Sequence, residues 1–490
     1  MKSLLKLTVM LWIQSSLSGR YNEAHAALCK EELSAAINKF AIDMYMELSA
    51  SHPGENVFFS PISITTALSM LMLGAKGETK SQMEDVLYTT GLKKCLHDTY
   101  QFFDKNLYGG VGGPILESAN KLFPDQTLVV NGRFKRDIAK YYNATVEGLD
   151  YRDSAASRAI INAWVSKQTN TMIPSVLHPS SINSITVMVL INAIYFKGNW
   201  LNKFDISDTS VESFTTESGG KINVNMMYQE DLFNHYYDND LKAQFLELPY
   251  VVGKNDGSVD IRMVIILPDA KDAINDLQNK LTHEKLAKAL DELQYWPTPT
   301  YLHVPRFESR ENYELHSILE AMGMDELFSA SVNLDGFSTD PRVDVSTVLH
   351  EAAVVINENG TEASAVTNVI GGRSGYIPDP ATVKCDRPFL FLIREVKEEV
   401  DGWAMKTIPG PILFFGKVSH PKEVQKAVCN GGNLDKCRDK CRIKCFEANK
   451  KRTDKAKKAR NGKCPTWVGL MKAYKKCKID CRVKECTNKC

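Results

Sequence analysis

The stretch INENGTEASAVTNVIGGRSGYIPD, Ile356–Asp379, carries two demands that seldom share one segment. Gly360 gives the chain a free choice of backbone at the start. Thr361, Ala363, Ser364 and Ala365 follow, uncharged and small or β-branched, with Val366, Thr367, Val369 and Ile370 behind them. Side chains of this kind suit a strand and can enter a packed sheet without overfilling it. Glu362 alternates to the opposite face and stays in water. The second half reads differently. Arg373 is the only Lys or Arg between Thr361 and Ala381, and Gly371 and Gly372 let the chain before it lie extended. Its guanidinium would pair bidentately with a carboxylate at the base of a trypsin-like pocket. One half is a strand waiting for a sheet, and the other is bait for a protease.

Working outward, the chain has 490 residues, 43% of them apolar, enough for a large core and more than one folding unit. The net charge of +1 conceals a division. From Lys422 to the end there are 22 basic and 7 acidic residues, a net of +15, against −14 for the rest. Two charge regimes argue for two functional units. The N-terminus, MKSLLKLTVMLWIQSSLSG, has the layout of a secretory leader: Lys2 and Lys6, an apolar run from Leu7 to Ile13, then small polar residues. It predicts a signal peptide within residues 1–26, cut after Gly19 or after Ala26, and a secreted, extracellular protein; a buried N-terminal helix is the rival. No later apolar run predicts a membrane span. Asn143 and Asn359 head glycosylation sequons, which have meaning only in a secreted chain.

Residues 31–50 have helical periodicity, and Pro61 after Ser60 suits the first turn of a second helix closed by Gly74 and Gly77. Ile185–Trp200 is nearly all apolar and β-branched, as in a central strand buried on both faces. Residues 259–269 and 411–421 also read as strands, and Ala273–Leu293 and Tyr313–Met322 as helices. Together they predict an α+β body built around a large sheet.

Six pieces in order carry a resemblance: NVFFSPISITTALSMLMLGAKGET (Asn56–Thr79), NAIYFKGNW (Asn192–Trp200), VPRF (Val304–Phe307), HEAAVVINENGTEASA (His350–Ala365), RPFLFLI (Arg387–Ile393) and FFGKVSHP (Phe414–Pro421). The body, residues 27–421, resembles the serpins, inhibitors of serine proteases. That resemblance implies a large central mixed β-sheet with two further sheets, about nine helices and an exposed reactive loop. It also implies a mechanism. The protease cleaves the loop and is acyl-linked to it, and the freed loop then enters the central sheet as an added strand, distorting the protease. Glu358, Gly360, Thr361, Ala363, Ser364 and Ala365 fall on the hinge, and Arg373–Ser374 on the reactive bond. Counting from the hinge glycine as the family does places the cut after Ser374 instead, which would suit an elastase-like target. Ser60, Ser63, Asn192 and His350 fall on the polar shutter beneath the sheet, and Trp200 on the breach where the loop first enters. A glycan on Asn359 would stand at that hinge. His350 with nearby serines has no GxSxG setting and no ordered acid, so a hydrolase is set aside. The implied protein is not an enzyme and needs no cofactor or metal. A non-inhibitory serpin serving as a binding or carrier protein is the alternative.

Residues 422–490 lie beyond that pattern. Nine cysteines crowd there: Cys429, Cys437, Cys441, Cys445, Cys464, Cys477, Cys481, Cys486 and Cys490. The recurring spacing of four puts pairs on one helical face and predicts a small, helical, disulfide-stapled module. Zinc would want histidine partners, and this segment has none. Nine being odd, one is expected to pair with Cys29, Cys95, Cys385 or another chain. The charge of this module predicts attraction to a polyanion, whether sulfated glycosaminoglycan, anionic cell surface or extracellular nucleic acid, and the resemblance to heparin-assisted serpins favours a heparin-like glycosaminoglycan, as an activator. A channel-directed role of the kind small basic stapled modules have is a further rival.

Overall fold

The computed structural model describes residues 2–422 except 93–94, 108–112, 253–258, 294–296, 359, 361–379 and 402–403. Nine α-helices are present among them: α1 (Lys2–Ser51), α2 (Pro61–Met72), α3 (Gly77–Val86), α4 (Leu96–Leu107), α5 (Gly132–Tyr142), α6 (Ser154–Gln168), α7 (Ile274–Lys280), α8 (His283–Glu292) and α9 (His316–Ala321). Thirteen strands accompany them: β1 (Val57–Phe59), β2 (Ile115–Pro124), β3 (Met188–Lys197), β4 (Ser210–Thr215), β5 (Lys221–Asp238), β6 (Ala243–Pro249), β7 (Asp260–Pro268), β8 (Pro297–Pro305), β9 (Phe307–Glu314), β10 (Thr347–Ile356), β11 (Ala381–Lys384), β12 (Phe389–Asp401) and β13 (Ala404–Val418). Among these residues no helix is long and apolar enough to cross a membrane.

Two sheets organise the molecule. One runs β2-β3-β10-β9, with β3 and β10 parallel and both outer pairs antiparallel. The other runs β1-β13-β12-β7-β6-β5-β8-β11, with β4 added against β5. Its continuity depends on β5, whose 18 residues pair β4 at the start, β8 in the middle and β6 at the end. The two further sheets implied by the resemblance therefore share one hydrogen-bonded path. Between the two sheets lies an aromatic core in which Phe58 stacks on Phe391 and Phe414 at 5.7 and 5.2 Å. Every residue of β3 but its last is buried, which is why its sequence shows no polar alternation.

Local chemistry explains the boundaries. Ser60 caps α2 by accepting from the Ser63 amide, and Pro61 opens the helix where its missing N–H costs nothing. The expected helix at 273–293 is broken in two: Leu281 takes an extended conformation, and Thr282 caps α8 by accepting from the Lys285 amide. The expected helix at 313–322 begins late, because Tyr313 and Glu314 belong to β9 and pair with His350 and Leu349.

Helix α1 is continuous through the leader-like segment. From Cys29 onward it packs, with Leu33, Ile37, Phe40 and Met44 buried. Cys29 is disulfide-bonded to Cys95, 66 residues later. This corrects the expectation that either awaits a partner from the tail: α1 and α4 are neighbours, the Cα atoms of Cys29 in α1 and of Cys95 just before α4 lie 6.3 Å apart, and the Lys30 ammonium lies 3.3 Å from the Phe102 ring centroid. Cys385 is left as a buried free thiol, which burial pushes well above its ordinary pKa.

Candidate functional site: hinge, breach and shutter

The parallel seam between β3 and β10 joins eight residue pairs, Thr347↔Val189 to Val354↔Phe196. A polar row crosses its middle. Asn120, Asn192, His350 and Tyr313 stand opposite one another in register across the four strands. Ser60, Ser63, Asn192 and His350 are essentially inaccessible to water, so each polar atom needs a partner. The Ser60 amide donates to His350 Nε2 at 3.0 Å. Nε2 must then be the bare nitrogen, and Nδ1 carries the proton and donates it to Asn192 Oδ1. Asn192 Nδ2 donates in turn to the Ser63 carbonyl at 3.0 Å and to Asn120 Oδ1. Ser60 Oγ donates to the Leu413 carbonyl at 2.6 Å, tying the row to the other sheet. Burial pushes the His350 imidazole down to about 3, so it is neutral and the donor pattern is fixed. The four expected residues are brought together. Asn120 and Ser118, whose hydroxyl lies 3.3 Å from that of Ser63, complete the cluster, and only strand pairing places them there.

At the head of the seam, β10 ends at Ile356 and the chain turns. Trp200, buried, donates from Nε1 to the Asn357 carbonyl at 2.9 Å and stacks on Tyr250 with centroids 4.4 Å apart. The Phe204 amide donates to the Glu358 carbonyl at 3.2 Å. The Glu358 carboxylate is buried and accepts from Thr209 Oγ1 at 2.6 Å and from the Arg306 guanidinium. Burial pulls this carboxyl upward, but Arg306 and Thr209 outweigh it and hold it below the ordinary range. Arg306 sits inside the VPRF motif, yet its pairing with Glu358, 52 residues on, is legible only in three dimensions.

Gly360 closes the turn at φ +65°, a left-handed conformation. A Cβ placed there would lie 2.3 Å from the Trp200 nitrogen, 2.5 Å from the Gly198 carbonyl oxygen and 2.6 Å from the Asn199 Cα. Both the backbone angle and the close approach require glycine. Asn143, the first sequon, is exposed at the left-handed C-cap of α5. Asn359, Thr361, Ala363, Ser364, Ala365, Arg373, Ser374 and the nine tail cysteines lie outside the described residues.

The family model for serpins, serine protease inhibitors, matches residues 35–421. Leukocyte elastase inhibitor of Bos taurus is 36% identical over 403 residues, covering 80% of this chain and 100% of that protein. Serpin B3 of Homo sapiens is 36% identical over 405 residues, covering 79% and 99%. The crystal structure of uncleaved ovalbumin superposes with a TM-score of 0.69 at 30% identity, covering 80% of this chain and 100% of that one. With a matching family model over most of its length and relatives spanned from end to end, this chain belongs to the serpin family of serine protease inhibitors.

Proposed function

We propose that the protein is a secreted suicide inhibitor of a trypsin-like serine protease, cleaved at Arg373–Ser374 and trapping the enzyme by loop insertion. One observation carries the reading: β3 and β10 form the one parallel pair of their sheet among the described residues, and the hinge stands at its head. A chain that turns back after β10 and enters this seam runs antiparallel to both neighbours. One parallel pairing becomes two antiparallel ones, the somewhat more stable kind. The thirteen residues from Thr361 to Arg373 are enough to line all eight seam pairs. At about 1 kcal/mol net for each added backbone hydrogen bond, insertion releases on the order of 10 kcal/mol. Cleavage is the trigger because it frees one end of the segment.

Secretion is supported by the leader-like N-terminus, the exposed Asn143 and the Cys29–Cys95 disulfide, which persists in oxidising surroundings. The +15 tail supports recruitment to a sulfated glycosaminoglycan. Counting from Gly360 supports a second reading, cleavage after Ser374 by an elastase-type enzyme. The test is to mix the purified protein with trypsin and with elastase and to look for a band of summed mass that survives boiling in detergent. A trypsin band lost in Arg373→Ala is expected. A band with elastase alone would favour Ser374. Clean loop cleavage with no such band, and no rise in melting temperature, would overturn inhibition and leave a non-inhibitory binding or carrier serpin.

A further inference from the structure

Past Val396 the larger sheet narrows to a two-stranded ribbon. β7 begins at Asp260, opposite Val396, so Lys397–Asp401 of β12 pair with β13 alone among the described residues. Their partners are Ala404–Ile408, in register from Lys397↔Ile408 to Asp401↔Ala404. On the other edge of β13, β1 covers only Phe415–Lys417. Among the described residues, then, no third strand lies on either edge of the ribbon. Its root is fixed. Asn38 of α1 donates to the Gly410 carbonyl at 3.2 Å and accepts from the Ile412 amide at 2.7 Å. A Cβ on Gly410 would lie 2.7 Å from that of Glu395, so the two arms meet closely there. The register shifts between Arg394 and Val396, and such a bulge twists and re-aims the strands beyond it. The two arms differ in sequence. The β12 arm, KEEVD, has three acidic residues and one basic; the β13 arm, AMKTI, has the single charge of Lys406. Pro409 is exposed and stands opposite Val396. Having no N–H to give, it suits the ladder because its nitrogen falls on the open edge. Backbone groups alternate along a strand, so Met405 and Thr407 also turn their N–H groups to that edge.

We propose that this ribbon is a self-association surface: the β13 arms of two copies pair antiparallel about a twofold axis and join two ribbons into one four-stranded sheet. The inference stands apart from the insertion reading and needs no protease. A two-stranded ribbon is marginal in water by itself, and further strands stabilise it. The outward backbone groups of Met405 and Thr407 are the template for the added strand. Charge decides which edge pairs. Two β12 arms side by side would set Glu398, Glu399 and Asp401 against their own copies, and like charges across adjacent strands repel. In the β13 pairing those acidic arms fall on the two outer edges, where charge blocks further strand addition. The contact uses the same surface on both partners, so it closes at two copies. Pro409, with no donor on the open edge, ends the row and confines the pairing to the arm beyond the root.

The test is sedimentation velocity of the full chain over a concentration series up to roughly 200 µM, since a pairing this small makes a weak, reversible dimer. A shift from monomer to dimer that stops at the dimer is expected, with monomer alone on a non-reducing detergent gel. Thr407→Pro keeps the ribbon's own ladder and removes one edge donor from each copy. Two lost bonds should weaken the dimer about thirtyfold. Thr407→Glu keeps the donor but brings a like charge to the contact from both copies, and about a fivefold weakening is expected. It carries the comparison should the proline variant fail to fold. Monomer at every concentration, a dimer of parent strength in either folded variant, assembly that runs past the dimer, or a dimer held covalently on the gel would each overturn the proposal.

Discussion

Gly360→Ala is expected to destabilise the closed molecule by about 2–5 kcal/mol, and the structure divides that figure into two parts. A left-handed backbone costs a non-glycine residue about 1–2 kcal/mol. The second part comes from the new methyl, which would sit within 2.3–2.6 Å of three atoms of the Gly198–Trp200 backbone. That backbone cannot easily yield. The Val251 amide donates to the Asn199 carbonyl at 2.7 Å, and Trp200 is clamped by its bridge to Tyr250 and by the stacking of their rings. Overfilling a site of this kind costs about 1–3 kcal/mol. Gly219 isolates the first part, since it too is left-handed, at φ +82°, but a Cβ there meets nothing within 4 Å. Gly219→Ala is therefore expected to cost about 1–2 kcal/mol. The loss of unfolded-chain freedom on replacing glycine is the same in both and cancels in the comparison. At about 2.1 cal/mol/K per residue, a domain of roughly 390 residues shifts by roughly 1 °C per kcal/mol. Differential scanning calorimetry of the uncleaved proteins should show a fall of roughly 2–6 °C for Gly360→Ala and roughly 1–2 °C for Gly219→Ala. Equal falls would refute the close packing of the hinge against the breach.

Three further outcomes are expected. Replacing Cys29 and Cys95 by serine removes a crosslink across 66 residues and should cost roughly 4 kcal/mol on the chain-entropy account, read as a lower urea midpoint; a midpoint equal to that of the parent under oxidising conditions would contradict the bond. His350, held down to about 3, contributes stability that is complete above its ordinary value near 6.5 and is lost as pH falls toward 3. Between pH 7.5 and 5 this residue alone should account for about 2 kcal/mol of the parent's loss, and His350→Gln, which keeps one acceptor and one donor, should lose that much less. Glu351 runs the other way: burial pushes its carboxyl up to about 7 against the Asn312 hydrogen bond and the Arg310 charge, so its contribution is complete below its ordinary value and is lost as pH rises through 7. Glu351→Gln should therefore melt higher than the parent at pH 8 and no differently at pH 4.5, and the reverse ordering would show the carboxylate to be stabilising.

The sequence by itself determined whatever depends on local order along the chain. The Pro61 start of α2, the unbroken apolar run of β3, the glycine at the turn after β10, the split of charge at Lys422 and the lone basic residue Arg373 behind two glycines all depend on residue type and on neighbours a few positions away. Tertiary structure decided whatever depends on register between distant segments. Asn120 joins Asn192 because β2 pairs with β3, Arg306 reaches Glu358 across the head of the seam, and Cys29 meets Cys95 because α1 lies against α4. The bond from Asn312 Nδ2 to the Val176 carbonyl is the clearest case. Asn312 and Val176 are 136 residues apart, and nothing in either neighbourhood signals the bond between them. Hydrophobic pattern fixes which face of an element is buried, but many pairings of those faces satisfy the same pattern. Only the packed chain selects one of them and so decides which polar side chains meet.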